Sequence, residues 1–390
     1  MTKGQTCAEH RRSRDKGTKA FSVLVLWLIL FFLGGCTPSS NSSFAMPTLM
    51  ATAVVTTPES PQKVNTLLPV TYTPIGSAST AAPAAISTPS PAPSATVGSS
   101  PTGTPDPYAG WTIAALQQRP AQTGLLQTHE ILATGPNYTR HLISYPSDGL
   151  TIYGFMNTPP GDAPLPVVLV LHGFVEPDEY KVEAYTMPYA DAFAKENFLV
   201  IHPNYRNYPP SDNGDNLFRA GYAIDVLNLI DIIKTQAGQL GPLQNADPNR
   251  IYLFGHSMGG GIALRVLTVS PDIRAAALYG AMSGDEQRNF EKIMVWSKGT
   301  SGAEELAVAP EDLQRISPIY HLENVNAPVS IHHGTADGVV PPAWSDQLCT
   351  QLRELGKEVT CYRYPGEPHN FTWAARKRLL DRVSAFFNEW

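Results

Sequence analysis

Arg250-Ile251-Tyr252-Leu253-Phe254-Gly255-His256-Ser257-Met258-Gly259-Gly260-Gly261 is the stretch on which the reading of this chain turns. An apolar, strand-like run drives into Gly-x-Ser-x-Gly, and Ile262-Ala263-Leu264-Arg265-Val266-Leu267 continues at once with helical spacing. A strand-to-helix turn this tight forces the serine into a strained backbone conformation and stands its Oγ clear of the main chain. Gly255 and Gly259 have a mechanical role, because a Cβ at either would meet the neighbouring strand or helix as the chain reverses. Ser257 then lies at a helix N-terminus, where free N–H groups favour negative charge. The five-residue pattern alone is weak in a glycine-rich chain, so the flanks decide. Asp247-Pro248-Asn249 supplies a turn before the strand, and 261–269 supplies the helix after it. A glycine-rich helix start that merely packs on a sheet would leave the downstream residues below unexplained.

From residue 108 to residue 390 the pattern alternates. Hairpin-like strands are expected at 139–145 and 150–158, joined by Pro146-Ser147-Asp148-Gly149. Continuous apolar strands follow at 166–171, 198–202, 250–254, 275–279 and 329–332, with a last one near 359–364. Helix-length segments separate them. Leu217, Ala220, Ile224, Leu227 and Ile230 mark one apolar face, and Trp344, Leu348, Leu352 and Leu355 mark another. Wholly apolar strands alternating with helices predict an α/β fold, a mostly parallel central sheet covered by helices on both faces. In such sheets ligands bind at the carboxyl ends of the strands.

Every candidate chemical residue falls at such an end. A serine hydroxyl needs a base to take its proton and a third group to orient that base. Val329-Ser330-Ile331-His332-His333-Gly334-Thr335-Ala336-Asp337 is a strand running into a loop that ends in an acid. Tyr362-Arg363-Tyr364-Pro365-Gly366-Glu367-Pro368-His369 is a strand running into a loop that presents an imidazole. The order Ser257, Asp337, His369 is that of an α/β-hydrolase. Asp337 also suits an Asx turn ahead of Gly338. Of the other histidines, His332 and His333 read as packing or as support for the acid loop, His256 as packing beside the nucleophile, and His172 as organising its own loop. Two N–H donors are expected at the oxyanion, those of Met258 and of Phe174 in His172-Gly173-Phe174-Val175. The Phe174 ring either floors an acyl pocket or belongs to the core.

Ser147-Asp148-Gly149-Leu150-Thr151-Ile152-Tyr153-Gly154, Asp247-Pro248-Asn249-Arg250-Ile251, the elbow, Ser317-Pro318-Ile319-Tyr320, and Ala327-Pro328 through Asp337-Gly338-Val339-Val340-Pro341 together resemble the catalytic domain of the prolyl oligopeptidase family over roughly 139–390. The resemblance implies an α/β-hydrolase fold, the triad just named, and serine-type peptidase or related acyl-hydrolase activity on small peptides, amides or esters. Two features depart from the family. Gly366-Glu367-Pro368-His369-Asn370-Phe371 stands where the family often has a Gly-x-Gly-His-Gly-Phe-like loop, and 108–138 leaves no room for a β-propeller. The elbow and the His-Gly-Phe loop also look like those of dienelactone hydrolases and polyester-degrading cutinases, so an esterase without peptidase activity stands as the alternative. A surface binding protein that kept the fold and lost the chemistry is the rival from another class; the intact serine, aspartate and histidine speak against it. Glu176, Asp178 and Glu179, just past the oxyanion loop, form either a solvated acidic loop or a receptor for a peptide's amine. The segment 283–312 is long enough for a small cap, with Trp296 and Phe290 lining the site or only stabilising the cap.

The amino-terminal third reads differently. Residues 1–19 carry Lys3, Arg11, Arg12, Arg14, Lys16 and Lys19, an apolar run spans 20–33, and Leu33-Gly34-Gly35-Cys36 follows. These are the parts of a secretory signal, with the run short for a membrane span. The Leu-x-Gly-Cys ending resembles the lipobox of bacterial lipoproteins and implies cleavage after residue 35, a lipid on Cys36 and an extracytoplasmic, membrane-anchored domain; the plainer reading is a signal anchor with an incidental cysteine. Residues 36–107 are rich in Ser, Thr, Pro and Ala and predict a disordered tether. Cys349 and Cys361 then remain as a pair suited to a disulfide in an oxidising compartment. The net charge of −6 argues against a nucleic-acid partner. No metal-ligand spacing or phosphate-cradling loop is apparent, so neither metal nor cofactor is expected. Cys36→Ser is expected to move the protein out of the membrane fraction on cell fractionation; retention there would count against lipidation.

Overall fold

The computed structural model describes residues 106–390; the leader, Cys36 and nearly all of the tether lie outside the described residues. Nine strands form one sheet in the order β1-β2-β3-β5-β4-β6-β7-β8-β9. They are β1 (Gln127–Thr134), β2 (Thr139–Ser147), β3 (Leu150–Thr158), β4 (Leu165–Leu171), β5 (Leu199–Pro203), β6 (Ala246–His256), β7 (Ala275–Tyr279), β8 (Val329–Gly334) and β9 (Val359–Tyr364). The first three are an antiparallel meander, β3 meets β5 antiparallel at Gly154↔Pro203, and β5, β4, β6, β7, β8 and β9 run parallel. The expected α/β-hydrolase architecture is present, and no β-propeller lies among the described residues. Strand β1 was not expected from the sequence. It is a largely exposed edge strand, so it carries no alternating apolar signal.

The helices are α1 (Ile113–Gln117), α2 (Met187–Lys195), α3 (Ala220–Gln236), α4 (Met258–Val269), α5 (Glu286–Trp296), α6 (Ala303–Leu306), α7 (Pro310–Ile316), α8 (Pro342–Glu354) and α9 (Trp373–Glu389). Strand β4 shows why they divide between two faces. Its Val167, Leu169 and Leu171 belong to one buried layer with residues of α3, α4 and α8, while Val168 and Val170 belong to the other with residues of α2 and α9. The two-residue repeat of a strand sends alternate side chains to opposite layers, and both layers are apolar. Leu217 lies in a turn before α3, and Leu355 ends α8 exposed, so neither belongs to the buried helical face assigned from spacing. Cys349 of α8 and Cys361 of β9 are joined by a disulfide, with Cα atoms 6.4 Å apart.

The chain order reverses between β4 and β6. Strand β5 lies on one side of β4, and everything after β6 lies on the other. The carboxyl ends of β4 and β6 therefore border the crevice where such sheets bind ligands.

The insertion after β7 is a small cap with its own core. Phe290 of α5 packs with Phe218, Val308, Leu313 and Ile316, so this ring stabilises the cap, whereas Trp296 at the end of α5 is partly exposed. A buried ion cluster roots the cap on the helix that follows the elbow. Arg265 of α4 donates to Glu286 Oε1 at 2.6 Å and to the Ile316 carbonyl at 2.6 Å, and Arg219 pairs with the other Glu286 oxygen. Both Arg265 and Glu286 are buried. Removing one member of such a pair leaves a desolvated charge without compensation. Glu286→Ala is therefore expected to cost about 3–5 kcal/mol in urea denaturation; a loss under about 1 kcal/mol would show that the cap is rooted elsewhere.

Candidate active site

The elbow is as tight as its glycines suggest. Ser257 has φ 56° and ψ −118°, a left-handed conformation that costs a non-glycine residue about 1–3 kcal/mol. Close packing holds it there. A Cβ on Gly259 would fall 2.1 Å from the Leu171 carbonyl oxygen, and one on Gly255 would fall 2.4 Å from the Gly259 carbonyl oxygen. The Ser257 N–H donates to the Tyr279 carbonyl at 2.9 Å, and the Ser257 carbonyl accepts from Gly260 at 3.0 Å and Met282 at 3.0 Å. The serine is thus tied to β7 and to the start of the cap as well as to its own helix.

Asp337 and His369 are brought together by two loops stitched to one another. Thr335 N–H donates to the Tyr364 carbonyl and Ala336 N–H to the Glu367 carbonyl, each at 3.0 Å. Gly334 permits this approach, since a Cβ there would lie 2.2 Å from the Glu367 carbonyl oxygen. Glu367, in the loop that departs from the family pattern at Pro368 and Asn370, accepts from Thr372 N–H at 2.8 Å and so braces the entry to α9. The two oxygens of Asp337 divide their work. Oδ1 accepts from Val339 and Val340 N–H at 2.8 and 2.9 Å, which is the Asx-turn role, and Oδ2 receives His369 Nδ1 at 2.7 Å. With its proton on Nδ1, the neutral His369 ring keeps a lone pair at Nε2.

His333 supports the acid, one of its two sequence readings. Its Nε2 lies 3.0 Å from Asp337 Oδ2 and 3.1 Å from the Val340 carbonyl, and its Nδ1 lies 2.6 Å from Ser345 Oγ. Since a carbonyl only accepts, Nε2 carries the proton; in the neutral ring Ser345 then donates to Nδ1. Burial pushes the Asp337 carboxyl upward, but the hydrogen bonds from His333 and His369 outweigh it and hold the group well below the usual carboxylate range.

Around the elbow, Gly280 is the meeting point. A Cβ there would sit 3.3 Å from His369 ring atoms and 3.5 Å from Asp337 Oδ2, and the residue before it, Tyr279, holds the Ser257 amide. The His369 ring centre is 4.8 Å from that of His256, the residue preceding the serine. Ser257, Asp337 and His369 thus lie in one cluster at the carboxyl ends of β6, β8 and β9. Among the described residues Ser257 Oγ has no side-chain hydrogen-bond partner within 3.5 Å. The loop after β4 borders the same cluster, for a Cβ on Gly173 would be 3.0 Å from Ser257 Cβ. Neither Met258 N–H nor Phe174 N–H is taken by a protein acceptor among the described residues.

His172 does organise its own loop. It is fully buried, with Nδ1 2.7 Å from the Gly173 carbonyl and Nε2 3.0 Å from the Asn204 carbonyl, and burial pushes it down to about 4. The Phe174 ring is 59% exposed, which removes it from the core. Glu176, Asp178 and Glu179 are all exposed, as a solvated acidic loop would be. Sequence reasoning passed over Tyr185 and Tyr279. Tyr185 Oη lies 2.6 Å from His256 Nδ1, and Tyr279 O–H donates to the His369 carbonyl at 2.7 Å. Each hydrogen bond is made by a single hydroxyl to a residue distant in sequence, so spacing along the chain carries no sign of it.

Sheet order and elbow together define an α/β-hydrolase of the serine-hydrolase type. The chain belongs to the prolyl oligopeptidase family, whose model matches residues 192–390. It is 24% identical over 269 residues to the uncharacterized peptidase YuxL of Bacillus subtilis (strain 168), a span of 64% of this chain and 40% of that protein. It is 23% identical over 259 residues to the uncharacterized peptidase YtmA of the same organism, covering 64% of this chain and 95% of that one. The chain thus spans less than half the length of the first relative and nearly all of the second. Among solved structures, a puromycin-hydrolyzing peptidase of Mycobacterium tuberculosis superposes with a TM-score of 0.52 at 21% identity, over 66% of this chain and 40% of that one. An acetyl xylan esterase from Paenibacillus sp. R4 gives 0.52 at 16% identity, over 70% and 92%. At these identities the two structures share the fold with this chain.

The depressed carboxyl has a consequence for pH. The stability contributed by ionised Asp337 is complete above the ordinary value of 3.8 and is lost as pH falls through the lower folded value. Asp337 therefore stays charged wherever the protein is studied above about pH 4. The acid limb of log kcat/KM against pH should have a slope of 1; a slope of 2 would mean that Asp337 titrates as well.

Proposed function

We propose that this protein is a serine hydrolase that cleaves small ester, amide or peptide bonds through an acyl-enzyme. The observation that carries the reading is the Asp337–His369 pair, held on stitched loops beside a strained Ser257. In this reading His369 Nε2 takes the Ser257 proton as Oγ attacks the carbonyl carbon. The Met258 and Phe174 N–H groups receive the negative oxygen, and Asp337 steadies the imidazolium that forms. His369 then gives the proton to the leaving group. Water, deprotonated in turn by His369, releases the acid and regenerates the serine. The Ser257–His369 hydrogen bond forms when substrate fills the site, since catalytic hydrogen bonds often close only in the complex.

Chemistry around the cluster favours neutral, apolar acyl groups. Phe174 is 59% exposed, Val339 42% and Trp373 70%, and they follow β4, β8 and β9, the strands that deliver the oxyanion loop, the acid and the base. Large apolar side chains left in water at a ligand-binding edge suit a substrate that covers them. The solvated Glu176, Asp178 and Glu179 offer no desolvated receptor for a peptide's amine. Small aryl and alkyl esters are therefore the preferred substrates, with short peptides or aminoacyl amides as the second class that family membership supports. We further propose, on the sequence of the leader, that the domain works outside the cytoplasm on a lipid anchor at Cys36.

A fluorophosphonate probe is expected to label the wild-type protein at Ser257 and to leave Ser257→Ala unlabelled. No adduct on folded wild-type protein would favour a binding protein instead. Across p-nitrophenyl esters and aminoacyl and prolyl anilides, kcat/KM should be higher on the esters; equal or higher values on the anilides would reverse the preference.

A further inference from the structure

A chain of polar groups that the hydrolytic scheme does not use runs from the loop before α2 to the main chain of the base. Tyr185, at φ 48°, places its hydroxyl 2.6 Å from His256 Nδ1. His256 Nε2 lies 3.4 Å from the His369 carbonyl oxygen. That same oxygen accepts from Tyr279 O–H at 2.7 Å, and Tyr279 Oη in turn accepts from Phe371 N–H at 2.7 Å. The His256 ring stacks on Tyr279 with centres 4.2 Å apart and is wholly buried. Proton directions follow from chemistry. A carbonyl has no proton to give, so His256 Nε2 must donate to it, Nδ1 must accept, and Tyr185 must be the donor. Burial pushes His256 down to about 3, which keeps the ring neutral and makes its tautomer a real choice.

We propose that Tyr185 is a positioning residue: its hydroxyl fixes the His256 tautomer, so that His256 and Tyr279 together clamp the His369 carbonyl and aim the His369 ring between Asp337 and Ser257. The proposal rests on the serine-hydrolase reading. Tyr185 is suited to the role because hydrogen bonds on both sides tie its loop to the end of β5. Tyr180 O–H donates to Asn204 Oδ1 at 2.8 Å, and the neighbouring Thr186 Oγ1 meets His202 Nε2 at 2.5 Å. Its hydroxyl also sits against the oxyanion loop, 2.8 Å from where a Cβ on Gly173 would lie. One loop thereby sets both the base and the backbone beside the nucleophile. Without the Tyr185 proton, His256 is free to carry its own on Nδ1, and its Nε2 lone pair then faces the His369 carbonyl.

Tyr185→Phe removes one oxygen and keeps the ring. The expected result is a five- to twentyfold fall in kcat, and in the rate of fluorophosphonate labelling, with KM within twofold of wild type. His256→Asn should lower kcat similarly, and the double variant should be no worse than the poorer single one within twofold. Wild-type kcat in Tyr185→Phe, or losses that multiply in the double variant, would overturn the proposal. Nitrogen-15 NMR of the histidine rings gives a readout independent of activity. Wild-type His256 should be protonated on Nε2 and Tyr185→Phe should show a mixed tautomer, whereas Nδ1 protonation in the wild type would refute the clamp. Should wild-type protein fail to label at Ser257, the hydrolase reading falls, and the tautomer measurement still decides whether the relay exists. Should His256→Asn not fold, Tyr279→Phe takes its place, with the same kcat loss expected and wild-type kcat counting against the clamp.

Discussion

The close approach of Gly259 to the end of β4 is the constraint from which the rest of the site follows. With no room for a methyl group between Gly259 and the Leu171 carbonyl, α4 must start hard against the sheet. Ser257 must then turn through a left-handed conformation to join strand to helix. The strain, of order 1–3 kcal/mol, is offset by the hydrogen bonds that tie Ser257 to Tyr279 and Met282 and by an almost wholly buried helix behind it. The same approach sets the first turn of α4 beside the loop after β4, so that two unengaged N–H groups border one serine. The exposed serine and the two free N–H groups beside it are thus products of a single packing event.

Asp337 and His369 answer to a second constraint, the stitching of the loops after β8 and β9. Gly334 lets the loops touch, Thr335 and Ala336 bind across the gap, and the Cys349–Cys361 disulfide joins α8 to β9, the two elements that separate Asp337 from His369 in the chain. Asp337 is held from three directions: two backbone amides on one oxygen, two imidazoles on the other, and Ser345 behind His333. Such a carboxylate is fixed in charge and in place. What remains adjustable is the His369 ring, and its main chain is gripped by Tyr279 and His256.

Much of this was legible before any coordinates. Continuous apolar strands such as Val167 to Leu171 announce a parallel sheet because both faces need covering, and the order serine, acid, histidine announces which loops converge. Local motifs carried their own geometry, since glycines at 255 and 259 are required where backbones nearly touch. Long-range polar contacts left no such trace. Tyr185 and His256 are 71 residues apart and meet through single atoms, so neither period nor composition predicts them. Strand β1 was invisible because an exposed edge selects no alternating pattern, and Phe290 was ambiguous because a cap core and a substrate pocket ask for the same ring.

The chain shares its scaffold with the prolyl oligopeptidase family, and Phe174 and Val339 in loops and Trp373 at the start of α9 stand exposed after β4, β8 and β9. The central claim is that one serine, one imidazole and two amides converge on a single reacting carbon. A crystal structure of the fluorophosphonate adduct tests it most directly. The account predicts phosphorus on Ser257 Oγ, its oxygen within about 3.1 Å of the Met258 and Phe174 N–H groups, and His369 Nε2 within hydrogen-bonding reach of Ser257 Oγ. An adduct whose oxygen points away from both amides, or one with the His369 ring turned out of reach, would contradict it.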